Sequence, residues 1–325
     1  MKKLSKKLDW LKNTVFLRWF KYRKKFTNFL PPENVDYKKS IIAKQFANDA
    51  GYYPNFENPR SLNEKIQWLK LYYRDDLMTK CADKYAVREY IGKTAGEEFL
   101  TKLLGVYEKA EDIRFNKLPE KFVLKANNTS GADFFCRDKS KLNRKKVRAR
   151  MKKWLDPKAN HYYYSFEWVY KNIKPKIICE ELIESLDGGN LKNYDFACFN
   201  GKAKFFYVTS EIEEECKTTG FIDRSSDVYL DLFDMDWNRL PFTKPNCRRS
   251  EKEIKKPENF SQMVELAEKL AKPFPFVRVD LHEASGGKIL FGELTFYPAN
   301  GLKPYTPEEW DYKLGEMLVL PRKNI

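Results

Sequence analysis

Apolar and polar positions alternate most cleanly near the C-terminus. Val277, Val279 and Leu281 interleave with Arg278, Asp280 and His282, the period of two that marks a half-buried strand. Arg278 and Asp280 therefore share a face. The turn residues Ala284-Ser-Gly-Gly287 follow, and 289–294 reads as the return strand, with Glu293 near its end. Upstream, 122–126 predicts a strand running into a polar turn at 127–131, and 134–137 is a second short apolar run. Residues 176–183 read as a buried strand interrupted by acids. Runs at 194–199 and 203–208 flank Asn200-Gly201, a strong hairpin signal. Helical spacing occupies 37–50, ending before Gly51. It returns after the capping box Ser61-Leu-Asn-Glu64, where Ile66, Leu69 and Tyr73 form an apolar stripe. Residues 83–91 predict a helix stopped by Gly92, with Lys84 and Arg88 four apart on one face. Two further helices are predicted at 145–154, which is very basic, and at 259–272; 211–257 reads as charged and irregular.

Charge changes the picture at the N-terminus. Residues 1–30 hold ten Lys/Arg and one acid, +9 of the chain's +15, which leaves +6 for the rest. Leu4, Leu8, Leu11, Val15, Trp19, Tyr22 and Phe26 recur at spacings of three and four, giving a basic amphipathic helix suited to an anionic membrane surface. The same pattern also fits a helix packed on the protein body. Pro31-Pro32 ends it. A run of about 18 apolar residues, as a spanning helix needs, does not occur. No nucleic-acid-binding motif is present.

Length and composition, 325 residues with 42% hydrophobic and 15% aromatic, indicate a globular chain with a sizeable core. Six Cys lack any CxxC spacing, and Cys136, Cys179 and Cys198 lie in apolar runs, the pattern of reduced thiols in a cytoplasmic protein. With only His161 and His282, a His-based metal cluster or a Ser-His-Asp triad is disfavoured.

Asp280 and Glu293 carry the candidate chemistry. Carboxylates on adjacent strands can hold Mg²⁺, which in turn holds nucleotide phosphates. A carboxylate among Phe291, Leu294 and Phe296 must be paired or metal-bound. An Arg278–Asp280–Glu293 salt-bridge cluster satisfies the same requirement, and the pattern alone fits both.

In order along the chain, Arg60-Ser-Leu-Asn-Glu-Lys-Ile-Gln-Trp68, Asp83-Lys-Tyr-Ala-Val-Arg-Glu-Tyr90, Phe122-Val-Leu-Lys125, Ile177-Ile-Cys-Glu-Glu181, Cys198-Phe-Asn-Gly201, Asp236-Trp237, Phe276-Val-Arg-Val-Asp280 and Phe291-Gly-Glu-Leu-Thr-Phe-Tyr-Pro298 resemble the TupA-like branch of the ATP-grasp superfamily, associated with bacterial surface polysaccharide synthesis. The resemblance spans roughly residues 55–301. It implies an α+β ATP-grasp fold, two lobes clasping ATP, with a helical region at 31–82, a small lobe at 83–180 and a large lobe with the metal site at 181–325; the basic helix at 1–30 lies outside the shared part. It implies that Lys84, Arg88 and Lys125 bind phosphate and that Asn128, Ser130 and Gly131 belong to the loop closing over it. Glu180, Glu181 and Ile183 would form the hinge, whose backbone reads adenine, with side-chain identity of little weight. Asp195 would reach the ribose. Asp280 and Glu293, with Thr295, would hold Mg²⁺. Arg278 would steady an acyl phosphate and the tetrahedral oxyanion, with Lys125 and Arg88 neutralising the transferring phosphoryl group.

Three departures stand out. Thr295 replaces the superfamily's frequent Asn, Asn128-Thr-Ser-Gly131 replaces His-Gly-Ser-Gly, and Asn193-Tyr-Asp195 replaces Asp-Tyr-Lys. The resemblance implies a carboxylate–amine ligase that joins an amino acid or other amine to a sugar carboxylate; the basic body suits an acidic sugar, and the basic N-terminal helix suits a lipid-linked one at the inner membrane face. A second class of function is a metal-dependent glycosyltransferase, for which Asp234-Met-Asp236 supplies a DxD pattern.

Overall fold

The computed structural model describes residues 34–183, 191–211, 228–245, 247–251 and 253–325. The basic segment 1–30 and Pro31-Pro32 lie outside them, as do residues 212–227 of the segment read as irregular.

Four helices open the described chain: α1 (Val35–Ala50), α2 (Leu62–Tyr72), α3 (Asp76–Ala82) and α4 (Val87–Thr94). The capping box at α2 forms as expected: the Ser61 hydroxyl accepts from the Glu64 N–H, and the Glu64 carboxylate accepts from the N–H of Ser61. The sequence reading of α4 needs correction. Residues 83–86 form a turn before the helix, and Gly92 lies inside it. The Asp83 carboxylate accepts from the N–H groups of Tyr85 and Ala86, which fixes that turn.

The first sheet contains β1 (Leu103–Tyr107), β2 (Phe122–Ala126), β3 (Asp133–Cys136) and, after helices α5 (Arg144–Trp154) and α6 (Tyr162–Ser165), β4 (Ile177–Glu181). Its order is β1-β4-β2-β3, antiparallel throughout. Phe122, Leu124, Phe134, Cys136, Ile177 and Cys179 form one core with Val147 and Met151 of α5. By the two-residue repeat, Lys125 and Glu180 stand on the opposite face.

The second sheet contains β5 (Asn193–Phe199), β6 (Lys202–Glu211), β7 (Val228–Asp234), β8 (Phe276–Ala284) and β9 (Lys288–Thr295), in the order β7-β6-β5-β8-β9. The Asn200-Gly201 hairpin is present, with both residues at positive φ (48° and 79°) as a two-residue turn requires. The strand β7 lies inside the segment read as irregular. Its apolar residues Leu230, Leu232 and Phe233 are interrupted by acids, but pairing along β6 satisfies the backbone. Helix α7 (Phe260–Ala271) packs Met263, Leu266 and Ala267 into the core with Phe196, Val277 and Val279. Helices α1–α4 share that core. Cys81, Cys136, Cys179 and Cys198 are buried free thiols.

Helix α8 (Glu309–Met317) closes the chain against the start of α2. A Cβ at Gly315 would sit 2.0 Å from the Arg60 carbonyl oxygen. Gly315→Ala therefore forces the two elements apart, and a loss of about 1–3 kcal/mol is expected in urea denaturation. An unchanged midpoint would contradict this packing.

Candidate active site

The β8–β9 register sets two carboxylates side by side. Asp280 pairs directly with Glu293, and Arg278 with Thr295. On the other flank Asp195 of β5 pairs with Asp280. Three carboxylates thus form one row on the face opposite α7. Like charges directly across a sheet repel, and two cations offset them. Arg278 donates from Nε to Asp280 Oδ1 (2.6 Å) and from Nη2 to the other Asp280 oxygen, to Thr295 Oγ1 (3.2 Å) and to Glu293 Oε1 (3.4 Å). Lys84 Nζ reaches from the turn before α4 to Glu293 Oε2 at 2.8 Å. The salt-bridge cluster that the sequence pattern allowed as the alternative to a metal site is therefore formed, and Lys84 extends it to the first sheet's side of the cleft.

The charges of these groups follow from this setting. Lys84, then burial working the other way, then Arg278 set the Glu293 carboxyl; the cations prevail and hold it far below the usual carboxylate range. Burial raises Asp280 well above that range, against the pull of Arg278. Asp195 is likewise raised, by burial first. Its Oδ2 accepts from the Thr209 hydroxyl (3.2 Å), while Oδ1 has no hydrogen-bond partner among the described residues. Burial, with Lys125 nearby, lowers His282 to about 4, so the ring is neutral at physiological pH. Its Nδ1 lies 2.8 Å from Asn193 Oδ1, where it donates as the neutral tautomer.

Across the cleft, Glu180 is held from both sides: Arg88 Nη1 and Lys125 Nζ each approach a different carboxylate oxygen at 2.8 Å. Arg88 also donates to the Thr101 carbonyl (2.8 Å). Burial alone would lower Lys125, but Glu180 and Asp133 outweigh it and keep the ammonium charged. The Glu180 side chain, given little weight in the sequence reading, is thus the anchor of two candidate phosphate-binding cations. Glu181 turns outward to Lys102 (2.9 Å), and Ile183 lies beyond the end of β4, half-buried.

Residues 127–131 connect β2 to β3. Asn127 was not singled out from sequence, yet it fixes one end of this turn. It donates from Nδ2 to Asp83 (2.9 Å) and to the Lys174 carbonyl (3.1 Å), and it accepts at Oδ1 from the Lys176 N–H (2.6 Å). Its own carbonyl accepts from the Lys84 N–H (3.1 Å). Asp83 and Asn127 together place Lys84. Asn128 is buried, Ser130 and Gly131 are half-buried, and Gly131 takes φ 70°. His161, 3.4 Å from Thr129 through Nδ1 and 3.0 Å from Glu167 through Nε2, underlies the turn. Only three-dimensional proximity reveals it; no spacing signal connects residues 129 and 161.

Among the described residues no group of three or more His, Cys, Asp or Glu is arranged to hold a metal ion. The two carboxylates Asp280 and Glu293 still fit Mg²⁺, which uses one or two protein carboxylates and completes its shell with water and phosphate oxygens. Asp234 does other work. Its oxygens accept from the N–H groups of Asp236 (3.0 Å) and Asn238 (2.8 Å) and from the Asn238 amide, closing the turn after β7.

Two antiparallel sheets, linked through the ion pair between Glu293 of the second and Lys84 of the turn before α4, frame the site. A family model described as TupA-like ATPgrasp matches residues 64–319, and the chain belongs to that family. No curated protein sequence matches it. Similar solved structures include an L-amino acid ligase from Bacillus licheniformis (12% identity, 83% of this chain and 57% of that one, TM-score 0.45). A second is the ADP complex of purK, N5-carboxyaminoimidazole ribonucleotide synthetase (11%, 90% and 65%, 0.44). A third is D-alanine–D-alanine ligase from Bacillus anthracis (16%, 66% and 57%, 0.38). The chain thus spans a little over half the length of two of these proteins.

The Lys84–Glu293 pair has a pH signature. A carboxylate depressed in the folded state adds stability above the ordinary glutamate range and loses it as pH falls toward the folded value. Glu293→Gln should cost about 1–2 kcal/mol near neutrality, between a surface and a buried pair. The gap to the wild type should narrow toward about pH 3. Urea midpoints at both pH values measure it, and a gap independent of pH would contradict the pairing.

Proposed function

We propose that the protein is an ATP-dependent carboxylate–amine ligase working through an acyl phosphate. In this reading it attaches an amino acid or other amine to a uronic-acid-type sugar during surface polysaccharide synthesis. The observation that carries the reading is the Arg278–Asp280–Glu293–Thr295 cluster, linked by Lys84 to the cleft side that bears Arg88 and Lys125. Mg²⁺ held at Asp280 and Glu293, with Thr295 alongside, would bind the triphosphate and neutralise charge on the transferring phosphoryl group.

The residues of the chain then divide the work. Lys84, Lys125 and Arg88 give up their carboxylate partners to phosphate oxygens, and backbone N–H groups of 128–131 close over them. A substrate carboxylate oxygen attacks the γ-phosphorus and ADP leaves. Arg278 faces the acyl phosphate so formed. Attack by a neutral amine gives a tetrahedral oxyanion that the guanidinium stabilises, and phosphate departs as the amide forms, the amine proton passing to solvent. Neutral His282 is not required to carry a proton. In this reading the backbone of Glu180, Glu181 and Ile183 would meet the adenine edge, and Asp195 would approach the ribose or a substrate on the large-lobe side.

The substrate pair we propose is an acidic glycan precursor, free or lipid-linked, and an amino acid. Residues 1–30, by their sequence, suit contact with an anionic inner-membrane face, which would make the enzyme a peripheral cytoplasmic one. No described helix is long and apolar enough to cross a membrane.

Mg-ATP and Mg-ADP should raise the melting temperature, and Glu293→Gln should weaken the shift. With uronic acids and amino acids supplied, ADP release should fall about 10²–10³-fold in Arg278→Lys, as for loss of an oxyanion donor. Stabilisation by a UDP- or GDP-sugar alone, indifferent to Glu293→Gln, would overturn the ligase reading in favour of a glycosyltransferase.

A further inference from the structure

The positive charge of this molecule is not spread over its body. Residues 137–158 contain eleven Lys/Arg and two Asp, a net +9 in 22 positions. Residues 1–30 hold another +9, so the remaining residues sum to −3 against the total of +15. The described chain therefore carries one concentrated cationic region, centred on α5.

The helix turns that charge to one side. Val147 and Met151 bury its inner face against the first sheet, and Arg148 folds inward, donating to the Ile113 carbonyl (3.0 Å). At about 100° per residue, the direction opposite Val147 and Met151 is Ala149, ringed by Lys145, Lys146, Lys152 and Lys153. All five are exposed. Lys152 pairs with Glu111 (2.5 Å), whereas Lys145, Lys146 and Lys153 make no ion pair among the described residues. Ala149 keeps the centre of the ring low, so four ammonium groups surround a small flat patch.

This patch is not the nucleotide site. The sheet lies between them: α5 covers the face carrying Phe122, Leu124 and Cys179, while Lys125 and Glu180 project from the other. The patch also has no aromatic platform on which a sugar ring or base would stack. Its chemistry is that of point charges presented on a plane, which matches a plane of anionic headgroups better than a single chain.

We infer that the outer face of α5 docks on a bilayer containing anionic lipid, leaving the cleft on the far side of the sheet free. The inference is independent of the reaction catalysed. It concerns a surface separate from residues 1–30, whose own charge would act beside it.

The test is co-sedimentation of the full chain with vesicles of phosphatidylcholine plus phosphatidylglycerol, with phosphatidylcholine alone and a soluble polyanion, polygalacturonate, as the other arms. A basic residue near an anionic surface is worth roughly fivefold in partitioning. K145E/K146E/K153E should therefore lower partitioning by about a hundredfold or more, with residual binding from residues 1–30, and added salt should weaken the wild type. K145Q/K146Q/K153Q, which keeps helix-forming side chains, should show a smaller loss in the same direction and carries the test if the Glu variant fails to fold. Equal binding to both vesicle types, or variants that partition like the wild type, would overturn the inference. So would binding of polygalacturonate, lost in the variants, without binding of vesicles.

Discussion

Two carboxylates facing each other across neighbouring strands repel unless a cation lies beside them or one keeps its proton, and the site of this protein is organised by that constraint. The β8–β9 register makes Asp280 and Glu293 direct partners. Asp195 extends the row onto β5. Arg278, two residues from Asp280 on the same strand, supplies the local counter-charge. The remainder comes from Lys84, more than two hundred positions earlier in the chain. A short-range repulsion within one sheet is thus relieved by a residue from the other side of the cleft.

The first sheet repeats the arrangement with opposite roles. There a single carboxylate, Glu180, collects two cations, Arg88 and Lys125. Each group that the proposed reaction would turn toward phosphate is already neutralised within the protein. The Lys84 and Lys125 ammonium groups, although largely buried, are thereby kept charged without ligand. Asp83 and Asn127 complete the frame by tying the turn that bears Lys84 to the end of β2 and the segment entering β4.

Much of this was legible in the sequence because its signals are local. The alternation around Arg278 and Asp280, the Asn200-Gly201 turn and the Ser61–Glu64 capping box each depend on neighbours a few residues away, and each is found in the structure. What was not legible depends on distant partners. Asp83 looked like the first residue of a helix; in the structure its carboxylate closes a turn and bonds Asn127, 44 positions away. The strand β7 was hidden because its acids broke the alternation, and pairing with β6 supplies what the pattern did not. Glu180 read as an interchangeable hinge residue, because nothing in its own segment announces Arg88. The order of the charged residues was visible, but which cation would meet which acid was not.

The ion pair between Lys84 and Glu293 also makes the two halves of the cleft answerable to each other. A polyanion that draws Lys84 away leaves the half-buried Glu293 carboxylate to Arg278 and Thr295 alone, and a cation that claims Glu293 leaves the largely buried Lys84 ammonium without its ion-pair partner. Either ligand alone leaves one member of the pair less well compensated, whereas both together leave neither so. Through this contact the occupancies of the anionic and cationic halves are thermodynamically linked, and the linkage is reciprocal. A single side-chain contact thereby acts as an interlock, favouring the fully loaded and the empty cleft over either half-filled one.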